Sequence, residues 1–528
     1  ENLDLMDALV GSSIRFITTR HEQGAAFMAD VYGRLTGRAG VCFSTLGPGA
    51  TNLITGVADA NMDRSPVVAI AGQAATKRLH KESHQVLDLV SLFTPITKYS
   101  TQILHPEVVP EVIRKAFKLA QTEKPGAAFI DLPENIAKMD VTGKSPLRLM
   151  GPLQPKPHKQ RLEDAAEVIT DAEFPVVLAG NGVIRAGAAG ELLEFAEKLH
   201  IPVATTFMAK GVIPASHPLS LGAVGLQSRD YVACGFSRAD VVVCVGYDMV
   251  EYHPYLWNPG NPGNPESPDS EKKIIHIDPV QAEVDEHYIP TVGVVGDIAT
   301  SLEMIVGMAA RSKPDYGEVI HKVMENEYAS YKNDKGFPVR PQKLIWDLRE
   351  ALGPDDIVIS DVGAHKMWIA RMYSAERPNT CIISNGFASM GIAVPGAVAA
   401  KLSNPKRTVV AATGDAGFMM NSQEIETAVR IGTPIVVIIW NDSSYGLIKW
   451  KQEVTFKRTS GIDFANPDFV KYAESFGAKG YSVKSAAELL PTIRQAITDD
   501  TVVIIDCPVD YRENLKLTAA LGELVCPI

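Results

Sequence analysis

The sequence predicts an α/β protein with three doubly wound parallel-sheet domains. Short β-branched or alanine-rich apolar runs alternate with helical patterns throughout, which is typical of parallel sheets covered by helices on both faces. The length of 528 residues corresponds to about three domains. A proline-rich stretch at residues 142–160 and a polar stretch at residues 312–341 interrupt the alternation. We therefore predict domains at residues 1–141, 161–311 and 342–528, joined by two linkers, of which the second carries one helix.

The composition argues against several classes of partner. The chain carries 51 Lys and Arg against 62 Asp and Glu, a formal net charge of −11, and no basic tract, which argues against nucleic acid and anionic membranes. No apolar run approaches the roughly 18 residues that a transmembrane helix needs. Six cysteines without close pairing indicate neither a disulfide framework nor a zinc site. We therefore expect a cytoplasmic protein whose partners are small molecules.

The first block begins with an alternation of strands and helices. The pattern predicts a strand at 14–18, a helix at 24–35, and strands at 41–45 and 66–71. Glu22 lies between the first strand and the first helix, where a carboxyl group could simply cap the helix. The strand at 41–45 runs into a glycine-rich turn at residues 47–49, which an ordinary tight βα loop would also explain.

The middle block has the pattern of a Rossmann-like layer. Strands are predicted at 175–179, 201–205, 241–245 and 273–277. Its glycine turn at residues 180–182 is followed by Gly187, a spacing that differs from the dinucleotide-binding GxGxxG. The second strand ends without the acidic residue that would bind a ribose. We therefore favour a structural layer, with a dinucleotide site as the alternative.

The third block contains the strongest local signal for a ligand site. Asp415 and Asp442 each follow an apolar strand, so both should emerge at the carboxyl edge of neighbouring parallel strands. Two carboxylates and a turn carbonyl suit Mg²⁺, and the small residues around Asp415 leave backbone N–H groups free to face phosphates. A mere helix-capping role is the alternative. The next helix is predicted to begin with a capping box of Asn421 and Glu424.

Five polar or glycine-rich segments occur in order along the chain. They are residues 19–23, 44–52, 361–365, 385–391, and the pair 414–417 with 440–444. This set resembles the thiamin-diphosphate-dependent decarboxylase/ligase family, and the resemblance extends over essentially the whole chain. It implies a pyrimidine-binding domain, a middle Rossmann-like domain and a diphosphate-binding domain, in that order. Relative to the family pattern, we expect the first strand and helix of the pyrimidine-binding domain to be missing before residue 1.

The resemblance implies roles for individual residues. Glu22 matches the catalytic glutamate that hydrogen-bonds N1′ of the cofactor's aminopyrimidine. Asp415, Asp442 and the carbonyl of Ser444 match the Mg²⁺ ligands, and Met390 matches the apolar residue that holds the cofactor bent. The other implied cofactor-binding residues are Thr45, Pro48, Asn52, Val362, Gly363, Ala364, His365, Ala388, Gly414, Ala416, Gly417, Tyr445, Gly446 and Leu447.

Within this family the chain is most similar to the acetolactate synthases. That likeness implies a decarboxylating condensation of two pyruvate molecules to 2-acetolactate and CO₂, through a hydroxyethyl group carried on thiamin diphosphate. The segment at residues 246–252 resembles the FAD-independent, catabolic branch, so we expect no flavin. Gln85 and Trp450 are the implied substrate-contacting residues. Trp450 departs from the catabolic pattern, because it stands where biosynthetic enzymes carry a Trp linked to a preference for 2-ketobutyrate.

The resemblance also leaves alternatives open. Another thiamin-diphosphate enzyme, of the pyruvate oxidase or 2-hydroxyacyl-CoA lyase type, would use the same site residues. A non-catalytic regulator on the same fold is the alternative from a different class. The family implies a homodimer or homotetramer with active sites at the subunit interface. A role in branched-chain amino acid biosynthesis and a role in the acetoin pathway both fit.

Overall fold

A computed structural model of the chain describes residues 2–141, 143–148, 150–151, 153–225, 231–258, 272–283, 285–311 and 317–515. It contains three sheets, of four, six and six strands, and every strand pair in them is parallel. The predicted fold class is therefore confirmed. Within the described residues, no helix is both long enough and apolar enough to cross a membrane.

The first sheet has the strand order β1-β2-β4-β3. Its block consists of α1 (Leu3–Val10), α2 (Glu22–Thr36), β1 (Gly40–Ser44), α3 (Pro48–Met62), β2 (Val67–Gln73), α4 (Leu89–Phe93), β3 (Tyr99–Gln102), α5 (Val109–Gln121), β4 (Ala127–Pro133) and α6 (Glu134–Ala137). The central strands are apolar because helices cover both sheet faces.

The predicted strand at residues 14–18 is wrong. The segment lies beside β1, where Phe16 stacks on Phe43 with 5.2 Å between ring centroids, but it forms no ladder with β1. Ile14 is 65% exposed, so the alternating apolar pattern here does not correspond to burial. Without a buried face to stabilise it, the extended segment stays outside the sheet.

The second sheet has the order β10-β9-β8-β5-β6-β7, so β5 and β8 lie at its centre. Its block consists of α7 (Lys159–Asp171), β5 (Pro175–Ala179), α8 (Gly182–Arg185), α9 (Ala189–Leu199), β6 (Val203–Thr205), β7 (Ser220–Ala223), α10 (Tyr231–Arg238), β8 (Val241–Val245), β9 (Lys273–Asp278), β10 (Val292–Val295) and α11 (Ile298–Met308). The sequence did not predict the two edge strands, β7 and β10. The linker helix α12 (Gly317–Ser330) follows. The predicted boundaries at residues 142 and 312 lie outside the described residues.

The third sheet has the order β12-β11-β13-β14-β16-β15. Its block consists of α13 (Pro341–Ala351), β11 (Ile357–Ser360), α14 (Ala364–Met372), β12 (Cys381–Ile383), α15 (Ala393–Ser403), β13 (Val409–Gly414), α16 (Asp415–Asn421), α17 (Glu424–Arg430), β14 (Val436–Asn441), α18 (Gly446–Phe456), α19 (Phe469–Ser475), β15 (Lys479–Ser482), α20 (Ala486–Thr498) and β16 (Val503–Pro508). The predicted capping box is wrong: Asn421 ends α16 and donates its amide to the Gly391 carbonyl at 2.9 Å, and Glu424 is itself the first residue of α17.

The first and third domains are joined by buried charges as well as by apolar packing. Helix α2 packs on α15, and a Cβ added at Gly396 would lie 2.9 Å from a methyl carbon of Val31. Arg34 of α2 forms ion pairs with Asp59 at 2.9 Å and Asp63 at 2.7 Å on α3 and the residue after it. Asp59 also accepts a hydrogen bond from the Ser384 hydroxyl of the third domain at 2.8 Å.

Candidate active site

Two aspartates lie at the carboxyl ends of neighbouring strands in the third sheet. Strand β13 ends at Gly414 and Asp415 begins α16, while β14 ends immediately before Asp442. Gly414 is paired with Trp440 in the ladder between these strands. Both carboxylates therefore emerge at the same sheet edge, in the arrangement that the strand pattern predicts.

The two carboxylates form an electrostatically unbalanced pair. Burial raises the pKa of Asp442 to about 7, and the negative charge of Asp415 adds to that increase. Burial also raises the pKa of Asp415. Neither side chain forms an ion pair with a Lys, Arg or His of the described chain. A divalent cation between them would stabilise both ionised groups.

The donor set around this pair fits Mg²⁺. The Ser444 hydroxyl is buried and has no hydrogen-bond partner within the described residues. The described part of the chain has no group of three or more His, Cys, Asp or Glu side chains with metal-site geometry. A cation here would therefore rely on two carboxylates, backbone oxygen, and oxygen atoms from water or a ligand, which is the coordination Mg²⁺ accepts.

Asn466 is a site residue that the sequence did not reveal. Its amide donates to Asp415 Oδ2 at 2.7 Å and to Asn441 Oδ1 at 3.0 Å. The backbone N–H of Ser443 donates to the same Asp415 oxygen at 2.7 Å. Asn466 thus orients Asp415 from a loop 24 residues beyond Asp442, and no local pattern marks it.

Glycines line the space in front of the aspartates. A Cβ at Gly446 would lie 3.0 Å from Asp442 Oδ2, and a Cβ at Gly414 would lie 3.3 Å from the His365 ring. Burial lowers the pKa of His365 to about 3, so the imidazole is neutral. Its Nε2 and the hydroxyl of Tyr511 are buried without hydrogen-bond partners among the described residues. These unpaired polar atoms and the close backbone fit a polar ligand such as a diphosphate.

A second part of the site lies in the first domain. Glu22 is the first residue of α2, and the preceding residue, His21, caps that helix by accepting the backbone N–H of Gln23 at 3.1 Å. Glu22 Oε2 accepts a hydrogen bond from the Asn52 side chain at 3.0 Å. A Cβ at Gly49 would lie 3.4 Å from Glu22 Oε1, so the start of α3 passes close to the carboxylate. The sequence predicted both residues, and the structure brings them together.

The turn at residues 384–390 of the third domain is held by the first domain. Ala388 has a positive φ of 59°, and the carboxylate of Asp63 accepts the backbone N–H groups of Asn385 at 3.1 Å and Gly386 at 2.5 Å. The backbone N–H of Ser389 donates to Asp59 at 3.2 Å. First-domain carboxylates therefore hold the turn that leads to Met390.

The other predicted residues are the remaining implied cofactor-binding residues and the two implied substrate-contacting residues, Gln85 and Trp450. Thr45 and Pro48 flank the Gly47 turn, Val362, Gly363 and Ala364 precede or begin α14, Ala416 and Gly417 lie in α16, and Tyr445 and Leu447 lie at the start of α18. Gln85 has a φ of 60° and lies over that turn, because a Cβ at Gly47 would be 2.9 Å from its carbonyl oxygen. Trp450 is only 6% exposed and belongs to a hydrophobic core of the third domain. Its substrate role stays a prediction.

The corresponding edge of the middle sheet is filled by the chain itself. The carboxylate of Glu251 accepts the backbone N–H of Asn181 at 3.1 Å and the Thr206 hydroxyl at 2.5 Å. The N–H of Gly182 donates to the Gly246 carbonyl at 2.8 Å. Protein groups thus occupy the glycine turn at which a dinucleotide phosphate would bind.

Comparisons with known proteins agree with this organisation. Residues 1–92 match the thiamine pyrophosphate enzyme N-terminal TPP binding domain, residues 162–305 the central domain, and residues 361–507 the C-terminal TPP binding domain. Acetolactate synthase of Bacillus subtilis is 36% identical over 99% of this chain and 92% of its own length. A probable acetolactate synthase large subunit of Methanocaldococcus jannaschii is 36% identical over 99% of this chain and 90% of its own length. Catabolic acetolactate synthase of Raoultella terrigena is 34% identical over 98% of this chain and 92% of its own length.

Proposed function

The chain belongs to the thiamine pyrophosphate enzymes, and we propose that it condenses two pyruvate molecules to 2-acetolactate with release of CO₂. The family resemblance predicted from the motifs is thereby confirmed. The observation that carries the proposal is similarity over nearly the full length to relatives named acetolactate synthase. Incubation of the purified protein with pyruvate, thiamin diphosphate and Mg²⁺ should yield acetolactate. Failure to form it would overturn the proposal.

The cofactor, when bound, supplies an acidic C–H group and an electron sink for decarboxylation. Glu22 is the proposed catalytic residue, because one carboxylate oxygen is held by Asn52 and the other faces the Gly49 turn. A carboxyl group held there can donate a proton to, or share one with, a pyrimidine nitrogen. The carbonyl of Ala388 and the side chain of Met390 are proposed to orient the pyrimidine.

Asp415, Asp442 and the carbonyl of Ser444 are the proposed Mg²⁺ ligands. Support comes from the unbalanced charge of the two carboxylates and from the small residues that face them. Mg²⁺ would neutralise diphosphate oxygens at this edge. Neutral His365 and the backbone at the start of α14 are proposed to receive the same anionic group, which a helix N-terminus favours.

We also propose that the enzyme uses no flavin. Glu251 occupies the backbone N–H at which a phosphate would bind, and Gly182 is in contact with Gly246. A visible absorption spectrum of the purified protein distinguishes this proposal from an oxidase of the same family. Visible absorption bands of a bound flavin would contradict it.

The proposed active site lies between two subunits, one contributing Glu22 and the other contributing Asp415. Exposed apolar side chains at both parts support this arrangement: Leu87 is 43% exposed in the first domain, and Met420 and Ile448 are 43% and 47% exposed in the third. Mixing Glu22→Gln chains with Asp415→Ala chains tests it. A shared site regains activity in mixed oligomers, because one of the two sites is then intact, whereas a site within one chain stays inactive.

Cytoplasmic location is proposed from the cysteines. Four of them, Cys42, Cys244, Cys381 and Cys507, are buried and carry free thiols. Such a pattern fits a reducing compartment.

A further inference from the structure

Helix α17 of the third domain contacts the segment that immediately precedes Glu22. Glu424, the first residue of α17, is fully buried. Its Oε1 accepts the backbone N–H of Arg20 at 3.1 Å and that of His21 at 3.0 Å, and its Oε2 lies 3.3 Å from the Arg20 nitrogen. One carboxylate from another domain therefore satisfies two backbone donors at the entrance to α2.

The position of this carboxylate is determined from two sides. The Thr427 hydroxyl donates to Glu424 Oε2 at 2.7 Å. On the opposite side, a Cβ added at Gly24 would lie only 2.7 Å from Glu424 Oε1. The first turn of α2 thus requires glycine at position 24 for the carboxylate to approach so closely.

We propose that Glu424 is a positioning residue, which acts on catalysis by holding the backbone from which Glu22 projects. The inference rests on the proposed function, in which Glu22 carries the proton transfer. Hydrogen bonds to an ionised carboxylate are about twice as strong as neutral ones, and here they hold the two residues before Glu22. A displacement near 1 Å at a reacting group can cost about 10²-fold in rate, so loss of this contact should appear in catalysis.

Other contacts keep the segment attached to α17 when Glu424 is changed. The Arg430 guanidinium donates to the Thr18 carbonyl, and Arg20 lies 4.0 Å from Glu426. A substitution at Glu424 should therefore leave the segment in place but free its last two N–H groups. This separates a positioning role from a general role in folding.

The decisive variant is Glu424→Ala, which removes both acceptor oxygens. In the cofactor-free protein, amide hydrogen exchange of the peptide covering residues 18–22 should accelerate at least about tenfold, because two protected N–H groups lose their acceptor. In the loaded protein, exchange of the cofactor C2–H and kcat should fall together by about 10²-fold. The dissociation constant for thiamin diphosphate with Mg²⁺ should change by less than about threefold, since Glu424 contacts none of the proposed Mg²⁺ ligands.

Two further variants act as controls. Glu424→Gln retains one acceptor oxygen and should slow C2–H exchange by less than Glu424→Ala does, because a neutral amide oxygen accepts more weakly than a carboxylate. Glu426→Gln, on the same helix, alters the long contact to Arg20 and the ion pair with Arg430 at 3.0 Å but neither acceptor of the Arg20 and His21 N–H groups, so C2–H exchange and kcat should be unchanged. If Glu424→Ala does not fold, Glu424→Gln decides: slower C2–H exchange with unchanged cofactor affinity supports the proposal, and unchanged exchange overturns it.

A double variant separates this inference from the proposed function. If Glu424 acts through Glu22, Glu22→Gln combined with Glu424→Ala should be no slower than Glu22→Gln alone. Multiplying losses would overturn the positioning role while leaving the function intact. If Glu22→Gln itself had no effect, the proposed role of Glu22 would fail instead.

Discussion

The middle and third domains have six-stranded parallel sheets, yet the carboxyl edges of these sheets differ in how their charges are satisfied. In the middle domain Asp248 pairs with Arg64 at 2.7 Å and with Lys124 at 3.2 Å, and Glu251 is held by backbone and hydroxyl donors. In the third domain Asp415 and Asp442 repel each other, and no Lys, Arg or His of the described residues forms an ion pair with either; Lys449 lowers the pKa of Asp442, but burial and Asp415 outweigh it.

This difference shows that topology alone does not make a ligand site. Both edges have glycine turns, but the middle-domain turn is packed against its own chain, whereas at the third-domain edge Gly446 lies against Asp442 and Gly414 against the His365 ring. An edge whose donors and acceptors pair with one another is structural, whereas an edge with uncompensated charge requires a ligand. Substitutions at the third-domain edge and at the middle-domain edge can each test this comparison.

The largest effect is expected at the third-domain edge. Asp415→Ala should abolish retention of thiamin diphosphate on gel filtration, because it removes a proposed Mg²⁺ ligand together with the acceptor for Asn466 and Ser443. Asp442→Ala should weaken retention, with partial rescue by excess Mg²⁺. Asp463→Ala, an exposed acid in the same region, is the control and should bind normally. Near-normal retention by Asp415→Ala would remove the distinction between the two edges.

The next effect concerns the first-domain part of the site, which acts on rate rather than on affinity. Glu22→Gln should bind the cofactor and lose about 10²-fold or more in kcat, the range expected for a displaced acid–base group. NMR of the bound cofactor should show C2–H exchange slowing in parallel. An unchanged exchange rate would exclude Glu22 from the mechanism.

Trp450 tests whether the third-domain edge also contacts substrate, because it lies on α18, the helix that follows this edge. Its burial predicts that Trp450→Ala destabilises the protein, by about 3–5 kcal/mol for a core Trp. A substrate role would in addition shift product from 2-aceto-2-hydroxybutyrate toward acetolactate by about tenfold when both keto acids are present. The product ratio at equal folded-protein concentration decides. Lys451→Ala, exposed on the same helix, is the matched control for stability.

The smallest effect is expected at the middle-domain edge. Burial raises the pKa of Glu251 to about 7, so the folded state binds a proton more tightly than the unfolded chain does. The associated stability is present below the unfolded pKa of about 4.5 and is lost as the pH rises through about 7. The melting temperature of Glu251→Gln should therefore rise relative to that of the wild type as the pH increases from about 5 to about 8, the range over which Glu251 titrates. Cofactor binding should be unchanged. The exposed control Glu286→Gln should show no such trend. Loss of cofactor in Glu251→Gln would contradict a purely structural edge.

Much of the fold follows from local patterns. The central strands of the three sheets are apolar runs, and β2, β5, β8 and β14 are buried along almost their whole length, whereas the edge strands β3 and β15 are largely polar. The carboxyl-edge position of Asp415 and Asp442 follows from strand direction alone, because parallel strands end on the same side. The edge strands β7 and β10 escaped prediction because only one of their sides is paired, so their apolar signal is weaker.

By itself, the sequence determined which residues follow strands and therefore which carboxylates share a sheet edge, because chain direction and the two-residue strand repeat are local properties. Only the tertiary structure decided which partners those groups have. Asn466 donates to Asp415 from a distant loop. Glu424 does not form the predicted capping box but accepts the backbone N–H groups of Arg20 and His21. Glu251 accepts a backbone N–H of the middle-domain glycine turn. Each of these contacts joins residues far apart in the chain, and a buried polar group takes whichever partner the packed domains bring within hydrogen-bond distance.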